Sequence, residues 1–318
     1  MPLPSLLVAF GGNALNDPSN ARPHQREEFL LAERAMNQVA DLVEQGYRRL
    51  ILTHGNGPQV GQIFLQQELT EHQIQRHVTL DVCVADSQGR IGYILQNVFD
   101  NVCSRRGLNR TSSSIITQVV VDAADPAFRN PTKPIGMFYS EEEAERLRRE
   151  KDWVLHPDAE GRGHRRVVPS PRPVEIVELP LFERLLREEV IVIGAGGGGI
   201  PVVRRASGQL EGVEAVIDKD RTSALLAACL QVDLLVILTR VDGVYLHFNT
   251  PRAERIGQAT AEAMSRWLKA GQFGEGSMAP KVEAAVRFVQ SGGGRAVIAG
   301  LGQLSEAVAG KAGTQILP

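Results

Sequence analysis

Residues 190–201 read VIVIGAGGGGIP, a β-branched run that ends in a glycine-rich corner. Gly194, Gly196 and Gly199 match the pattern G-x-G-x-x-G, which in dinucleotide-binding folds opens a helix after a strand. Here the residues that follow, 200–203, read IPVV and predict another strand or a hairpin instead of a helix. The pattern alone therefore gives little support to a nicotinamide or flavin enzyme.

Apolar runs of the same kind alternate with helical patterns along the chain. Helices are indicated near 26–45, from Pro58 onward and over 88–106, with Gly46 and Gly107 as stops. The predicted buried strands are 6–10, 48–55, 113–122, 190–194, 232–239 and 295–300. Strands separated by helices predict an α/β protein with a mainly parallel sheet that is covered on both faces.

The composition of the 318 residues is that of a soluble globular protein, with 43% hydrophobic and 23% charged residues and a net charge of −2. No basic run is interleaved with aromatic residues, so no nucleic-acid partner is expected. No secretory signal or membrane span is indicated. Three scattered cysteines, Cys83, Cys103 and Cys229, indicate neither disulfides nor zinc. We expect a cytoplasmic enzyme or binding protein.

The segment 126–173 differs from the rest of the chain. It is rich in proline and carries the charged stretch SEEEAERLRREKD at 140–152. That stretch predicts a solvated helix with ion pairs along its surface. We expect the whole segment to leave the sheet as a small subdomain or lid.

Three predicted strands run into glycine at their carboxyl ends. FGGN stands at 10–13, HGNGP at 54–58 and GAGGGGIP at 194–201. Such ends meet at one edge of an open α/β sheet, where glycine amides can approach an anion. The sequence therefore predicts a shared anion site, although no Walker loop G-x-x-x-x-G-K-[ST] is present.

Three lysines stand at positions where a bound anion would stabilise their charge. Lys219 lies between Asp218 and Asp220 at the start of a helical pattern, and Lys281 lies in the first turn of another. A lysine there opposes the helix dipole by about 0.3–1 kcal/mol, a cost that a bound anion reverses. Lys133 stands between two prolines in NPTKPIG, which would hold its charge in place.

These are the parts that phosphoryl transfer needs. Cations and backbone amides stabilise the transferred group, and a metal accompanies the nucleotide. No nucleophile motif such as G-x-S-x-G is present. Asp218 and Asp220 either orient the lysines or help to place Mg²⁺, which prefers oxygen ligands.

Segments along nearly the whole chain together resemble the carbamate kinases of the amino-acid-kinase superfamily. They are FGGNAL (10–15), THGNGPQVG (53–61), SQGRIGYILQ (87–96), DPAFRNPTKPIG (125–136), RRVVPSP (165–171), GAGGGGIPV (194–202), AVIDKD (215–220), LTRVDGVY (238–245) and GSMAPKVEAA (276–285). The chain departs from the residues usual in that family at Val84, Asp86, Arg90 and Arg240 and within 16–25. None of these departures removes a candidate catalytic residue.

The resemblance implies a single amino-acid-kinase domain over 1–318. It implies a three-layer αβα sandwich around a mainly parallel sheet of about eight strands, usually as a homodimer. The lobe 1–212 would bind carbamate or carbamoyl phosphate, the lobe 213–318 would bind ATP or ADP, and 126–173 would close over the substrate. The implied reaction is reversible phosphoryl transfer between ATP and carbamate with Mg²⁺.

The resemblance also implies roles for particular residues. Lys133, Lys219 and Lys281 would bind the transferred phosphoryl group, and Asp220 would hold lysines in position. The substrate residues would be Gly11, Gly12, Asn13, Gly55, Asn56 and Gly57, and the corner formed by Gly196, Gly197, Gly198 and Gly199 would face the same small anion. The nucleotide residues would be Thr239, Val241, Asp242, Tyr245, Ser277, Met278 and Lys281. No protein ligand to the metal is assigned.

Two alternatives stay open at this point. The first is another reaction of the same superfamily, such as phosphorylation of an acylated amino acid, a phosphonate or UMP. The second is a nucleotide-binding regulator without turnover, although such a protein has no need of all three lysines.

Overall fold

The structure, a computed structural model, describes residues 4–11, 25–74, 78–158, 161–274 and 278–318. The helices are α1 (Gln25–Glu44), α2 (Gly57–Ile74), α3 (Leu80–Arg106), α4 (Glu141–Lys151), α5 (Leu179–Arg187), α6 (Lys219–Cys229), α7 (Ala261–Lys269), α8 (Ala279–Gln290) and α9 (Leu304–Val308). The strands are β1 (Leu6–Phe10), β2 (Leu50–His54), β3 (Ser112–Ser114), β4 (Gln118–Val121), β5 (Lys133–Tyr139), β6 (Leu155–Pro157), β7 (His164–Val168), β8 (Pro173–Ile176), β9 (Ile191–Ile193), β10 (Ile200–Arg204), β11 (Leu210–Gly212), β12 (Leu234–Thr239), β13 (Val244–Leu246), β14 (Glu254–Ile256), β15 (Gln258–Thr260), β16 (Arg295–Gly300) and β17 (Thr314–Leu317).

The central sheet has eight strands in the order β15-β17-β16-β12-β1-β2-β9-β3. The six strands from β16 to β3 are parallel to their neighbours. β17 is antiparallel to β16, and β15 is parallel to β17. The predicted mainly parallel sheet of about eight strands is therefore confirmed.

Both faces of this sheet are buried. In β1, Leu6 and Val8 pack on one side with α1, α3 and α9, while Leu7 and Ala9 pack on the other with α5, α6, α7 and α8. A strand that is apolar on both faces needs helices on both faces, because side chains alternate along it. The two helical layers around one sheet confirm the predicted three-layer αβα sandwich.

The carboxyl-terminal ends of α1 and α3 lie at the glycines that the sequence indicated as stops. α1 stops before Gly46, which has a φ of 96°, and α3 stops at Gly107, which has a φ of 66°. Glycine adopts these angles without the strain that a side chain would impose. α3 starts earlier than the predicted 88–106, at Leu80, whose amide donates to Glu214 Oε1 over 2.7 Å.

None of the helices in the described ranges has the length and apolar character that a membrane crossing requires.

The prediction of one strand over 113–122 is wrong, because the segment forms β3 in the central sheet and β4 in a second sheet. Between them, the Thr117 amide donates to Gln88 Oε1 over 2.8 Å, and Gln88 Nε2 donates to the Thr117 carbonyl over 3.2 Å. The Gln88 carboxamide thus takes the place of a neighbouring strand. It satisfies the buried backbone while the chain changes sheets.

The second sheet has the order β11-β10-β4-β8. β10 and β11 form an antiparallel pair, which confirms the hairpin predicted after the glycine corner and removes the dinucleotide-fold alternative there.

The segment 133–168 forms an antiparallel sheet in the order β5-β7-β6, together with α4. Ser140 caps α4 in a capping box with Glu143, and only Ala144 and Leu147 of the helix are buried. The solvated helix is therefore as predicted. The small sheet packs against α2, where Gly61 lies so close to Gly136 that a Cβ at Gly61 would stand 3.1 Å from the Gly136 backbone.

We predict that Gln88→Ala destabilises the protein by about 2–3 kcal/mol, because it leaves the buried Thr117 amide without a partner and removes the hydrogen bonds of Gln88 to the carbonyls of Thr117 and Gly196. Gln88 is 2% exposed, so water cannot replace the lost bonds. Urea unfolding monitored by circular dichroism measures the change. Asn101→Ala, at an exposed position of the same helix, is the control and should leave the unfolding midpoint unchanged.

Candidate active site

A cleft of about 240 Å³ opens at the carboxyl edge of the central sheet. Its walls come from the loop after β2, the glycine corner after β9, the start of β5, the turn before α6 and the first turn of α8. The lining residues are Gly55, Asn56, Gly57, Pro58, Val60, Lys133, Pro134, Ile135, Gly197, Val216, Ile217, Asp218, Lys219, Asp220, Pro280 and Lys281. The structure thus brings the four predicted catalytic residues into one cavity.

Asp220 joins two of the lysines. Its Oδ1 accepts from Lys219 Nζ, and its Oδ2 accepts from Lys281 Nζ over 2.8 Å. Burial opposes ionisation of Asp220, but the two ammonium groups outweigh it and hold its pKa well below the usual range. The carboxylate is therefore charged at neutral pH and keeps α6 and α8 together at their first turns.

Lys219 is also enclosed. Burial lowers the pKa of its ammonium group, the Asp220 carboxylate raises it, and the Lys281 charge lowers it again. Its charge therefore depends on the carboxylate beside it.

Lys133 reaches the same cleft from the small sheet. Its Nζ lies 2.9 Å from Asp218 Oδ2, while Asp218 Oδ1 caps α6 by accepting from the amides of Asp220 and Arg221 at 3.0 and 3.3 Å. Burial opposes ionisation of Asp218, but the Lys133 charge and its hydrogen bond contribute to a lowered pKa. Asp218 thus joins Lys133 to the first turn of α6. The family resemblance implied no role for this residue.

The start of α6 is fixed by hydroxyl groups that the sequence reasoning missed. Thr222 Oγ1 donates to the Gly198 carbonyl over 2.8 Å, and the Ser223 hydroxyl, which donates to the Lys219 carbonyl, lies 2.7 Å from Thr53 Oγ1. All three hydroxyls belong to residues that are fully buried. The available signal was the polar pair Thr222-Ser223 on an otherwise apolar helix pattern.

The glycine corner is shaped to receive protein side chains. A Cβ at Gly196 would overlap the His54 ring, a Cβ at Gly197 would overlap the Asn56 carboxamide, and a Cβ at Gly198 would overlap the Ile217 carbonyl. Asn56 is itself held by a 2.8 Å hydrogen bond to Ser87 Oγ. The bare backbone therefore allows the loops after β2 and β9 and the turn before α6 to meet.

Two of the four amides in this corner are engaged within the protein. The amides of Gly198 and Gly199 donate to the carbonyls of Ala195 and Gly196 over 3.1 and 3.0 Å, so they are already partnered. Of the four glycines, Gly197 lines the cleft. Gly196, Gly198 and Gly199 shape the wall instead.

His54 is buried behind the corner, 2% exposed, with Nδ1 3.2 Å from the Gly55 carbonyl oxygen. Burial lowers the pKa of its imidazole to about 4; the Lys219 charge acts in the same direction, and the Gly55 carbonyl opposes it. The ring is therefore neutral at neutral pH. His54 belongs to HGNGP, where the sequence predicted an anion site but no role for this side chain.

The remaining predicted residues lie around the cleft. Gly55, Asn56 and Gly57 line it, and Gly11 follows β1 where a Cβ would stand 3.2 Å from the Leu238 carbonyl oxygen. Gly12, Asn13 and Ser277 lie outside the described residues. The other nucleotide candidates do not line the cleft; they are Thr239, Val241, Asp242, Tyr245 and Met278.

Those nucleotide candidates stand at the carboxyl end of β12 and at the start of α8. Thr239 pairs with Gly300 at the end of β16. Tyr245 donates its hydroxyl to Asp242 Oδ1 over 2.8 Å, and Met278 precedes the first turn of α8. They therefore continue the same sheet edge beyond the cleft.

Two of the departures from the family pattern have clear surroundings. Val84 is buried in an apolar cluster with Val60, and Arg90 Nη2 lies 2.8 Å from Glu28 Oε2, which ties α3 to α1. Neither residue lines the cleft, although Val60 of the Val84 cluster does.

The charges of the site favour an anion. Three ammonium groups stand against two carboxylates, and the first turns of α6 and α8 add the positive ends of two helix dipoles. All four carboxylate oxygens already accept hydrogen bonds. Among the residues that the structure describes, no group of three or more His, Cys, Asp or Glu side chains is placed to hold a metal.

Known proteins share both the sequence and the fold. The model of the amino acid kinase family matches residues 5–300. Carbamate kinase of Clostridium perfringens is 45% identical over 316 residues, and that of Pyrococcus horikoshii is 44% identical over 315; each alignment covers 98% of this chain and 99% of the relative. The structure of carbamate kinase from Giardia lamblia bound to AMP-PNP has a TM-score of 0.92 at 39% identity, covering 99% of this chain and 98% of that one.

The chain therefore belongs to the amino acid kinase family, and it is an enzyme, a kinase. Within that family, its similarity to carbamate kinases extends over nearly its full length, which confirms the resemblance found in the sequence segments. A structure of N-acetylglutamate synthase from Neisseria gonorrhoeae, with a TM-score of 0.57 at 14% identity, shares the fold alone.

We predict that the neutral His54 makes stability fall at acid pH. Its pKa is about 4 in the folded protein against 6.5 unperturbed, so the unfolded chain takes up the proton first as pH falls. This contribution is present above pH 6.5 and is lost toward pH 4, by roughly 2 kcal/mol between pH 7 and 4.5. In His54→Gln this part of the pH dependence should disappear, as measured by urea unfolding at both pH values.

His156→Gln is the control, because His156 is exposed. It should keep the pH dependence of the unmodified protein. If His54→Gln loses as much stability as the unmodified protein between pH 7 and 4.5, the buried imidazole is not the cause.

Proposed function

We propose that this kinase transfers a phosphoryl group reversibly between ATP and carbamate, giving ADP and carbamoyl phosphate. The observation that carries the proposal is the Asp220 carboxylate bound by Lys219 and Lys281 in a small cleft that Lys133 also enters. The names of the relatives at 42–45% identity support the choice of acceptor.

In this proposal the three lysines stabilise the charge on the transferred group. Asp220 keeps Lys219 and Lys281 beside each other, so that their charges converge without reorganisation during the reaction. Gly55, Asn56 and Gly57 hold the carbamate end, together with Gly197. The nucleotide lies toward the carboxyl end of β12 and the start of α8, with Lys281 between the two substrates.

The volume of the cleft favours a small acceptor. About 240 Å³ is below the roughly 300–1,000 Å³ typical of pockets for drug-sized ligands. Carbamate, an amino group on a carboxylate, is small enough to share such a space with the transferred phosphoryl group. We propose that the segment 126–173, which carries Lys133, closes over that acceptor.

Mg²⁺ would accompany the nucleotide and neutralise phosphate charge. Asp218 and Asp220 have their oxygens committed to lysines and to the α6 amides, which supports orientation of the lysines as their role. The donor set thus fits a metal held mainly by phosphate and water oxygens. A homodimer, with lobes 1–212 for carbamate and 213–318 for nucleotide, completes the proposal from the family resemblance.

We predict that the protein makes ATP from ADP and carbamoyl phosphate, and that Lys133→Ala and Lys281→Ala lower turnover by about 10²-fold or more, because each removes charge stabilisation of the transferred group. A coupled assay of ATP formation measures this, with N-acetylglutamate, a phosphonate and UMP tested as acceptors in the forward direction.

Lys269→Ala, at an exposed position at the end of α7, is the matched control and should keep full activity. Circular dichroism and the unfolding midpoint verify that the variants remain folded. No ATP from carbamoyl phosphate, with turnover on a larger acid, would reject carbamate as the acceptor. Near-normal rates in both lysine variants would reject the assigned roles.

We predict a separate effect for Asp220→Asn. Without this carboxylate the pKa of Lys219, which is already lowered by burial, falls further, because the Asp220 charge and its hydrogen bond raise it. Turnover should drop about a hundredfold. The alkaline limb of the pH–rate profile should move to lower pH.

Asp152→Asn, at an exposed position after α4, is the control for the profile. If Asp220→Asn lowers the rate but leaves the alkaline limb in place, the Lys219 charge does not limit the reaction at high pH.

A further inference from the structure

A second ion-pair network connects α6 and α8 outside the cleft. Arg221 Nε and Nη2 both donate to Glu283 Oε2, over 3.1 and 2.9 Å. On its other side, Glu283 Oε1 lies 3.0 Å from Arg172 Nη2. We call these three residues, Arg172, Glu283 and Arg221, the outer clamp.

The outer clamp stands next to the catalytic candidates in the chain. Arg221 follows Asp220 directly on α6, and Glu283 stands two residues after Lys281 on α8. The two helices pack against each other along this side of the sheet. The clamp and the Asp220 bridge therefore join the same two helical turns at two points.

Such a second joint has a physical reason. Lys219 and Lys281 carry like charges, and each lies at the positive end of its own helix dipole, so the two first turns repel each other. Asp220 offsets this repulsion from within the cleft. Glu283 offsets it from outside the cleft, through a charge-assisted pair with Arg221 that joins the same two helices.

Arg172 extends the clamp to the base of the segment that carries Lys133. The Arg172 amide donates to Asp125 Oδ2 over 2.9 Å, and Asp125 Oδ1 accepts from the Ala127 amide over 2.8 Å. Asp125 and Arg172 stand at the two ends of the excursion 126–173. The side chain of Arg172 thus connects this neck to α8.

We propose that Glu283 is a positioning residue for phosphoryl transfer. Through Arg221 it sets the relative placement of the first turns that carry Lys219 and Lys281, and through Arg172 it makes a weaker contact with the neck of the segment that carries Lys133. This inference rests on the proposed function for its kinetic consequence, while the mechanical link between the helices does not depend on which acid is phosphorylated.

We expect the clamp to contribute only modestly to global stability. The side chains of Glu283 and Arg221 are each 24% exposed, and that of Arg172 is 54% exposed. Solvent-exposed ion pairs contribute weakly to folding, because water and salt screen them. A large kinetic effect with a small change in unfolding midpoint therefore separates positioning from general support of the fold.

The experiment compares the full-length protein with Glu283→Ala, Glu283→Gln, Arg221→Ala and Arg172→Ala in the assay of ATP formation. We expect Glu283→Ala and Arg221→Ala to lower kcat about tenfold, with the KM values for ADP and carbamoyl phosphate changed by less than about threefold. The double variant Glu283→Ala/Arg221→Ala should be no slower than Glu283→Ala, since each substitution breaks the same Arg221–Glu283 pair.

Glu283→Gln should fall between Glu283→Ala and the unmodified protein, because the amide oxygen still accepts from Arg221 without the charge. It also keeps the test available if Glu283→Ala fails to fold. Arg172→Ala should change kcat by less than about threefold, because its pair is half-exposed. Glu262→Ala, which removes an exposed ion pair with Arg266 on α7, is the control and should leave kcat unchanged.

Hydrogen–deuterium exchange provides a readout that does not depend on the reaction. In Glu283→Ala, peptides covering 218–224 and 279–285 should exchange faster, whereas peptides of α1 should not change. If kcat of Glu283→Ala stays within twofold of the unmodified protein, the positioning role is overturned. If the unmodified protein makes no ATP, the proposed function fails, and unchanged exchange at these peptides would then overturn the clamp on its own.

Discussion

The site depends on one carboxylate that is buried between two lysines. Asp220 is 2% exposed and binds the ammonium groups of Lys219 and Lys281. A buried charge without partners is destabilising, so each of the three groups offsets the cost of burying the others. The arrangement keeps two cations close together while leaving the cleft with more positive than negative charge. A site of this kind is prepared for an anion before one arrives.

The sheet supplies the setting for this constraint. Parallel strands place the carboxyl ends of β1, β2, β9 and β12 at one edge, and the glycine corner after β9 lets His54, Asn56 and Ile217 approach its backbone. Packing on both faces of the sheet fixes the helices whose first turns carry the lysines. The positions of the charged groups in the cleft therefore follow from the packing of the helical layers on the sheet.

Much of this could be predicted from the sequence. Periodicity and glycine stops indicated the strands and the ends of α1 and α3, and the helical patterns placed Lys219 and Lys281 in first turns. Their convergence with Lys133 came from the family resemblance, because spacing along the chain does not reveal which turns meet. The break in 113–122 could not be seen, since the carboxamide that causes it belongs to Gln88 on a different element. The partnered amides of Gly198 and Gly199 were also hidden, because a run of glycines does not reveal its own φ values.

The fit between the glycine corner and its neighbours has a consequence for how the sequence can change over evolution. Gly196 leaves room for the His54 ring, and Gly197 leaves room for the Asn56 carboxamide. A side chain gained at either glycine would have to coincide with a smaller residue at its partner. Positions 54 and 196, and likewise 56 and 197, therefore constrain each other as pairs. A single substitution that adds a side chain at either glycine is therefore strongly disfavoured, and a lineage could fill this corner only after its partner position had become smaller or by changing two positions at once.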